Sequence, residues 1–462
     1  MRKAALFLFS THLGGIHLGS WRDPNAPTDP AMGFETIKRM AQTAERGKFH
    51  AMFLADSLAH WPQWDAEGLS HTALGACLEP LTLCAALARE TEHIGLMLTG
   101  NTTYNQPFHL ARMFASLDHI SAGRAGWNIV TGGNPNEAFN FSTARVKREE
   151  RYERAAEFVE VAKGLWDSFD DDAFVHDRDA GRFHDATKLH QLDHEGKHFS
   201  VRGPLTIARP PQGYPVMAQA GSSEEGREFA ARYGEVIFTV QSELASAQAF
   251  YDEIKARAAA AGRDPQDTLI VVGLLMVLGH TQEEAETRMA QLDSLVDPLI
   301  ARDQLSGFLF FDLSDYPLDG PLPEIPVTEV GTQGIQAHFL AIARSQKLTI
   351  RQASAVAARS GALAMSTQAA ADHIEQWIEA KAADGFNLTF VDQCGSLDMF
   401  VDEVVPDLQR RGVFHLDYEG STLRENLGLR RPVNRCSAAA AKVGRTPGAV
   451  SDQVGLASSP AR

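Results

Sequence analysis

The chain has 462 residues, and 43 Lys and Arg against 59 Asp and Glu leave a formal net charge of −16, which argues against a nucleic-acid partner whose phosphates must be neutralised by basic side chains. Four cysteines, Cys77, Cys84, Cys394 and Cys436, are too few and too unevenly spaced for a disulfide framework or a paired C-x-x-C zinc site, so a reducing, cytoplasmic setting is expected. No apolar stretch approaches the roughly 18–20 residues of a membrane span.

The chain opens with Met1-Arg2-Lys3 and the apolar run 4–9. That run is short for a signal peptide and no good cleavage site follows it, so it reads as a first buried strand. Further apolar or β-branched runs occur at 51–55, 94–98, 125–130, 215–219, 236–240, 270–278 and 387–391, which makes eight. Between them lie longer segments with apolar residues at helical spacing, such as 34–47, with Gly47 at the C-cap, and 149–166. Strands alternating with helices predict an α/β chain with a parallel sheet, and eight such units predict a (β/α)8 TIM barrel in one domain over 1–436. Two stretches break the rhythm, 167–213, rich in Asp, His and Gly, and 292–363, with a Pro-rich part at 316–326. Both are expected as insertions over the C-terminal face, where βα loops build barrel active sites. The Ala, Ser, Gly and Pro composition of 437–462 predicts a disordered tail.

In such a barrel the residues after the strands carry function. Here they are Ser10-Thr11-His12, Asp56-Ser57, 99–103, 128–133, Gly221-Ser222-Ser223 and Gln241. This set is rich in hydroxyls and poor in paired carboxylates, which suits holding a polar cofactor better than glycoside-type acid–base chemistry. Gly221-Ser222-Ser223-Glu224-Glu225-Gly226 lies after one expected strand and before a helix over 227–233. It fits an anion site at a helix N-terminus, and equally a plain Ser cap with an acidic first turn. Asp56 delivers one carboxylate to the barrel mouth or caps the next helix. His17, in a loop with Trp21 and Arg22, is either a surface residue or a proton donor. His194-Glu195-Gly196-Lys197-His198 matches H-E-x-x-H, which holds zinc only on a helix. Gly196 weakens a helix by about 1 kcal/mol relative to Ala, and 199–204 reads as strand then turn. No metal is therefore expected, and a metal-dependent hydrolase using His194 and His198 stands as the hydrolytic alternative. Neither G-x-G-x-x-G after a strand nor G-x-x-x-x-G-K-[ST] occurs, so no built-in dinucleotide or nucleoside-triphosphate site is signalled.

Several segments carry a resemblance: His17-Leu18-Gly19-Ser20-Trp21-Arg22, Phe53-Leu54-Ala55-Asp56-Ser57, Glu79-Pro80-Leu81, Phe114-Ala115-Ser116-Leu117-Asp118-His119-Ile120, Gly123-Arg124-Ala125-Gly126-Trp127-Asn128, Arg209-Pro210-Pro211-Gln212-Gly213 and Gln409-Arg410-Arg411-Gly412. From about residue 6 to 432 the chain resembles flavin-dependent monooxygenases of the bacterial luciferase-like superfamily, in the nitrilotriacetate and dibenzothiophene-sulfone monooxygenase branch. The resemblance implies a barrel that binds reduced FMN made by a separate NAD(P)H:flavin oxidoreductase and uses O2 to oxidise a small organic substrate through a C4a-peroxyflavin. It implies flavin contacts at Asp56 and Thr102, with Tyr152, Ser222 and Ser223 on the phosphate side, and a homodimer or homotetramer. The segment 292–363 is then the candidate lid that keeps water out, and His17 the candidate polar contact near substrate. A barrel that binds flavin without turnover is the alternative within the same resemblance. Three departures from the family pattern stand out. Arg148 replaces a frequent histidine and can still meet phosphate as a cation. Thr131-Gly132-Gly133 replaces Thr-Ser, and Met365-Ser366-Thr367-Gln368 replaces a Gly-Thr-Pro turn.

Overall fold

The computed structural model describes residues 3–10, 16–29, 31–60, 66–141, 146–221, 223–327, 333–392 and 394–437. Its frame is eight parallel strands: β1 (Ala5–Ser10), β2 (Ala51–Leu54), β3 (Gly95–Asn101), β4 (Ala125–Val130), β5 (Val216–Gln219), β6 (Val236–Thr239), β7 (Leu269–Gly279) and β8 (Gly385–Phe390). Each pairs with the next, and β8 returns to β1 through Ala5 opposite Gly385, so the sheet closes into the expected (β/α)8 barrel. Seven of the eight strands fall within two residues of their expected bounds, and β3 runs three residues past its expected end, to Asn101.

Both faces of the strands are apolar, as a parallel sheet covered on both sides requires. On β1, Leu6 and Leu8 pack outward under the helices, while Ala5, Phe7 and Phe9 turn into the barrel with Phe53, Met97, Ala218 and Val271. The outer ring begins with α1 (Phe34–Arg46), α2 (Pro80–Glu90), α3 (Pro107–Ile120), α4 (Arg148–Trp166), α5 (Glu224–Tyr233) and α6 (Leu244–Ala260). Helix α1 buries Ile37, Met40, Ala41 and Ala44, the i, i+3, i+4, i+7 stripe of a helix on a core. Gly47 does cap it. A Cβ there would lie 2.6 Å from Val401, so space demands this glycine, and Lys48 (φ 60°) takes the left-handed conformation.

After β7 the chain runs through α7 (Gln282–Ser294), α8 (Pro298–Leu309), α9 (Gln333–Ser345), α10 (Ile350–Ala358) and α11 (Thr367–Glu379) before β8. The segment 292–363 thus leaves the C-terminal side of β7, as expected, and has its own small core of Leu305, Leu309, Leu313, Phe339 and Ile350. A short strand, Leu363–Ser366, pairs with the far end of β7 (Leu363 opposite Met276). Composition did not signal it, because its side chains are half exposed and it contributes little to the core. It occupies the departure at 365–368, where Ser366 caps α11 through the Ala369 N–H.

The expectation for 167–213 needs correction. This segment connects α4 to β5 and therefore lies at the N-terminal end of the barrel, opposite the mouth. There buried Asp167 accepts hydrogen bonds from Arg209 Nε (3.1 Å) and Tyr214 OH (2.6 Å), and Gln212 donates to Asp118 and to the Ala125 carbonyl. The C-terminal segment closes the same end. Leu423, Leu427 and Leu429 plug the barrel, and buried Arg424 forks onto Glu235 at 2.6 and 3.0 Å. The part of the expected tail after residue 437 lies outside the described residues.

Candidate active site

The mouth of the barrel is floored by three rings inside the strands. Phe9 lies 5.9 Å from Phe53 and 6.1 Å, stacked, from Phe238. Gly273 permits this, since a Cβ there would meet Phe238 at 3.1 Å. Polar groups sit among the apolar walls. Asn128 donates to Thr99 Oγ1 (2.9 Å), while Asn128 Oδ1, both side-chain polar atoms of Asn387 and Arg151 Nε are buried with no hydrogen-bond partner among the described residues. Buried polar groups are normally satisfied, so these atoms mark a place built to meet something polar.

Asp56 follows β2 and lines a cavity of about 630 Å³ with Ser57, His60, Cys77, Glu79, Gln304, Phe308 and Phe310. It also lines a neighbouring cavity of about 360 Å³ with Glu79, Asn101 and Glu137. Burial pushes its carboxyl above the ordinary range; Glu79 adds to the shift and the Ser57 N–H opposes it. Glu79 itself caps α2 through the N–H groups of Leu81 and Thr82, both at 2.8 Å.

The loop after β2 is held by the loop after β4. Asn134 donates to the Ala59 carbonyl (2.7 Å), Asn140 to that of Leu58 (2.7 Å) and Asn136 to that of His60 (3.2 Å), while Glu137 accepts from the Leu58 N–H (3.2 Å). Burial raises the Glu137 carboxyl as well, with Asp56 adding and the Leu58 N–H and Arg151 opposing. Gly132 makes room for it. Its φ is 77°, and a Cβ there would lie 2.7 Å from Glu137 Oε2. The Gly132 carbonyl also accepts from Arg151. Glu137 and Arg151 escaped sequence reading because nothing in a charged helix start announces burial.

Tyr152 and Ser223 both lie at the start of α5. Tyr152, on α4, packs its ring 5.9 Å from Phe229 on α5, and its hydroxyl lies 2.9 Å from where a Gly226 Cβ would stand and 3.1 Å from that of Gly221. Ser223 caps α5 by accepting from the Gly226 N–H (3.1 Å), so the helix begins at Glu224, three residues before its expected start. A capping hydroxyl accepts through its oxygen and keeps its proton to donate, so the cap and the anion site are compatible here. Ser222 and the Arg148 side chain lie outside the described residues.

Thr102 is buried behind the mouth with its hydroxyl donating to the Val130 carbonyl (3.2 Å). His17 lines neither cavity. It is fully buried; Nδ1 accepts from the Gly19 N–H (3.1 Å) and Nε2 faces Asp293 Oδ1 at 3.1 Å. Arg359 also binds Asp293 (3.0 Å), Leu18 N–H reaches the Ala358 carbonyl and Ser360 the Ile16 carbonyl. The loop after β1 is therefore latched to both ends of the 292–363 segment, with His17 holding Asp293 at one end and the backbone of Ile16 and Leu18 meeting Ser360 and Ala358 at the other. Buried His17 has no open path for proton donation to a ligand.

The H-E-x-x-H segment is not helical. His194–Glu195 forms a two-residue strand against Ser200–Val201, His194 Nε2 lies 3.0 Å from Glu157 Oε1, and the His198 N–H donates to Glu157 Oε2 (2.9 Å). Both histidines pack on α4, against Glu157 and Glu153. The motif thus lacks the helical spacing on which the hydrolytic alternative rested, and among the described residues no three His, Cys, Asp or Glu converge as metal ligands. Among the described residues no helix is long and apolar enough to cross a membrane.

Comparison with known proteins agrees with this geometry. The family model described as luciferase-like monooxygenase matches residues 6–383. The chain is 45% identical over 441 residues to N-acetyl-S-(2-succino)cysteine monooxygenase of Bacillus subtilis (strain 168), covering 94% of this chain and 98% of that one. It is 45% identical over 439 residues to nitrilotriacetate monooxygenase component A of Aminobacter aminovorans, covering 93% and 96%. Among solved structures, riboflavin lyase (RcaE) with modified FMN and riboflavin superposes with a TM-score of 0.84 at 31% identity, covering 95% of this chain and 99% of that one.

Proposed function

The chain belongs to the luciferase-like monooxygenase family, and from that premise we propose that it is the oxygenase of a two-component system, taking reduced FMN from a separate NAD(P)H:flavin oxidoreductase and using O2 to oxidise a small organic substrate. The observation that carries the reading is the pairing of polar contacts at the barrel mouth. Tyr152 and Ser223 flank the N-terminus of α5, where backbone N–H groups and the helix dipole favour a phosphate. Asp56 lines the cavity after β2 and Asn128 Oδ1 is buried without a partner inside the barrel, polar groups above a floor of apolar rings, which suits a flat heteroaromatic group with a polar edge.

Bound flavin supplies the activation of O2; the protein supplies position, hydrogen bonds and enclosure. Tyr152 and Ser223, with Ser222 and Arg148, would hold the phosphate. Asp56 would offer the flavin a polar contact, and Thr102 would steady the site by holding the Val130 carbonyl. The 292–363 segment covers the mouth and excludes water, and the loop after β1 keeps its two ends fixed to the barrel.

Anaerobic titration with reduced FMN, followed by O2 uptake with candidate substrates, tests this reading. Saturable binding of about one flavin per chain and substrate-dependent uptake are expected. Saturable binding without uptake in the presence of any substrate would leave a flavin-binding barrel without turnover, and no binding would overturn the proposal.

A further inference from the structure

The larger cavity has two distinct walls. Asp56 and Glu79 are carboxylates on the barrel side, and neither Lys nor Arg lines it among the described residues. The covering side is mostly apolar, with Phe308 and Phe310 from the end of α8 and Ile335 from α9, beside one uncharged polar side chain, Gln304. Phe308 is fixed by stacking on Phe339, 4.6 Å away and 7° from parallel.

Phe310 is held in a more unusual way. It follows the last turn of α8 with φ 50° and ψ 37°, and its own N–H and that of Phe311 close the turn onto Ser306 and Gly307. That left-handed position is normally Gly or Asn, because a Cβ crowds the backbone there. Among the described residues with positive φ, Phe310 is the one with a large apolar side chain. A glycine would end the helix at lower energy. A bulky side chain kept in a disfavoured conformation points to function, and this side chain faces the cavity.

Resting on the flavin reading above, we propose that the cavity takes an uncharged, mainly apolar substrate and that Phe310 is a specificity-determining contact for it. A polyanion would meet two carboxylates and three apolar side chains, with its desolvation uncompensated. An uncharged ring or branched apolar body would bury its surface against Phe308, Phe310 and Ile335.

The test is equilibrium dialysis of flavin-free protein against two probes of opposite character, dibenzothiophene sulfone and nitrilotriacetate, with wild type, Phe310→Gly and Phe310→Leu. Wild type is expected to bind the sulfone at least tenfold more tightly than the trianion. Phe310→Gly should weaken sulfone binding at least tenfold while melting at an equal or higher temperature, since it relieves the backbone. Phe310→Leu keeps the backbone disfavoured and should weaken binding without raising the melting temperature. Tighter binding of nitrilotriacetate, binding of neither probe, or equal sulfone affinity in all three proteins would overturn the proposal. So would a lower melting temperature of Phe310→Gly. Because no flavin is present, these outcomes are read separately from the reduced-FMN titration.

Discussion

Two carboxylates and one glycine at the mouth show how single residues balance stability against function. Burial raises the Asp56 carboxyl above its ordinary value, so the fold prefers it protonated, and stability falls as pH rises from the ordinary carboxylate pKa of about 4 through the raised value. Asp56→Asn removes that loss. Denaturation midpoints should favour the variant at pH 7, and its advantage should shrink below about pH 4, while reduced-FMN affinity drops. A variant with no stability gain at pH 7 would show that the charge is well compensated. Gly132→Ala forces a Cβ into a positive φ and against Glu137 Oε2, with an expected loss of about 1–2 kcal/mol in urea denaturation. Asp56 and the Tyr152–Ser223 pair were legible because they follow strands or match a family pattern. Glu137 and Arg151 were not, because only the packed loops bury them.

Loops and helices are coupled at the mouth by a few side chains. Asn134 ties the β4 loop to the β2 loop by donating to Ser57 Oγ and the Ala59 carbonyl. Asn134→Ala should cost about 1–2 kcal/mol, and it should weaken flavin binding because Asp56 shares that loop. Titration and urea melts on the same sample separate the two effects. At the other side, His17 joins the β1 loop to Asp293, and Arg359 joins the far end of the segment to the same carboxylate. His17→Ala should leave the barrel folded and expose 292–363 to limited proteolysis, cleaving there several times faster than wild type. Cleavage elsewhere first would show that the latch is dispensable. The sequence marked His17 by its loop and its neutral pKa range. Its partner lies 276 residues away, which no local pattern reveals.

For the molecule as a whole, the closed N-terminal end is the main electrostatic structure. Burial would raise the Glu235 carboxyl, yet Arg424 and the Met217 N–H hold it below its ordinary value. Arg424→Ala leaves that carboxylate buried and unpaired, with an expected loss of about 3–5 kcal/mol. A double change, Arg424→Met with Glu235→Leu, should recover most of it. Near the surface of the same end, Arg431 and Arg209 hold the Asp171 carboxyl down at about 2 against partial burial. Its contribution is present above the ordinary carboxylate pKa of about 4 and is lost as pH falls from there toward 2. Hydrogen exchange in 423–435 should therefore quicken across that window before the strands exchange.

By itself the sequence determined the closed barrel, since eight apolar runs covered on both faces and separated by amphipathic helices have few other ways to bury their surface. It also determined the family, through motifs spread over most of the chain. Tertiary structure alone decided that 167–213 lies under the barrel and 292–363 over it. Composition marks an insertion, but only the direction of the adjoining strand says at which end it emerges. The partners of His17, the burial of Glu137 and the left-handed Phe310 also arise from contacts between distant segments. Such contacts are set by packing, and local preference opposes the last of them.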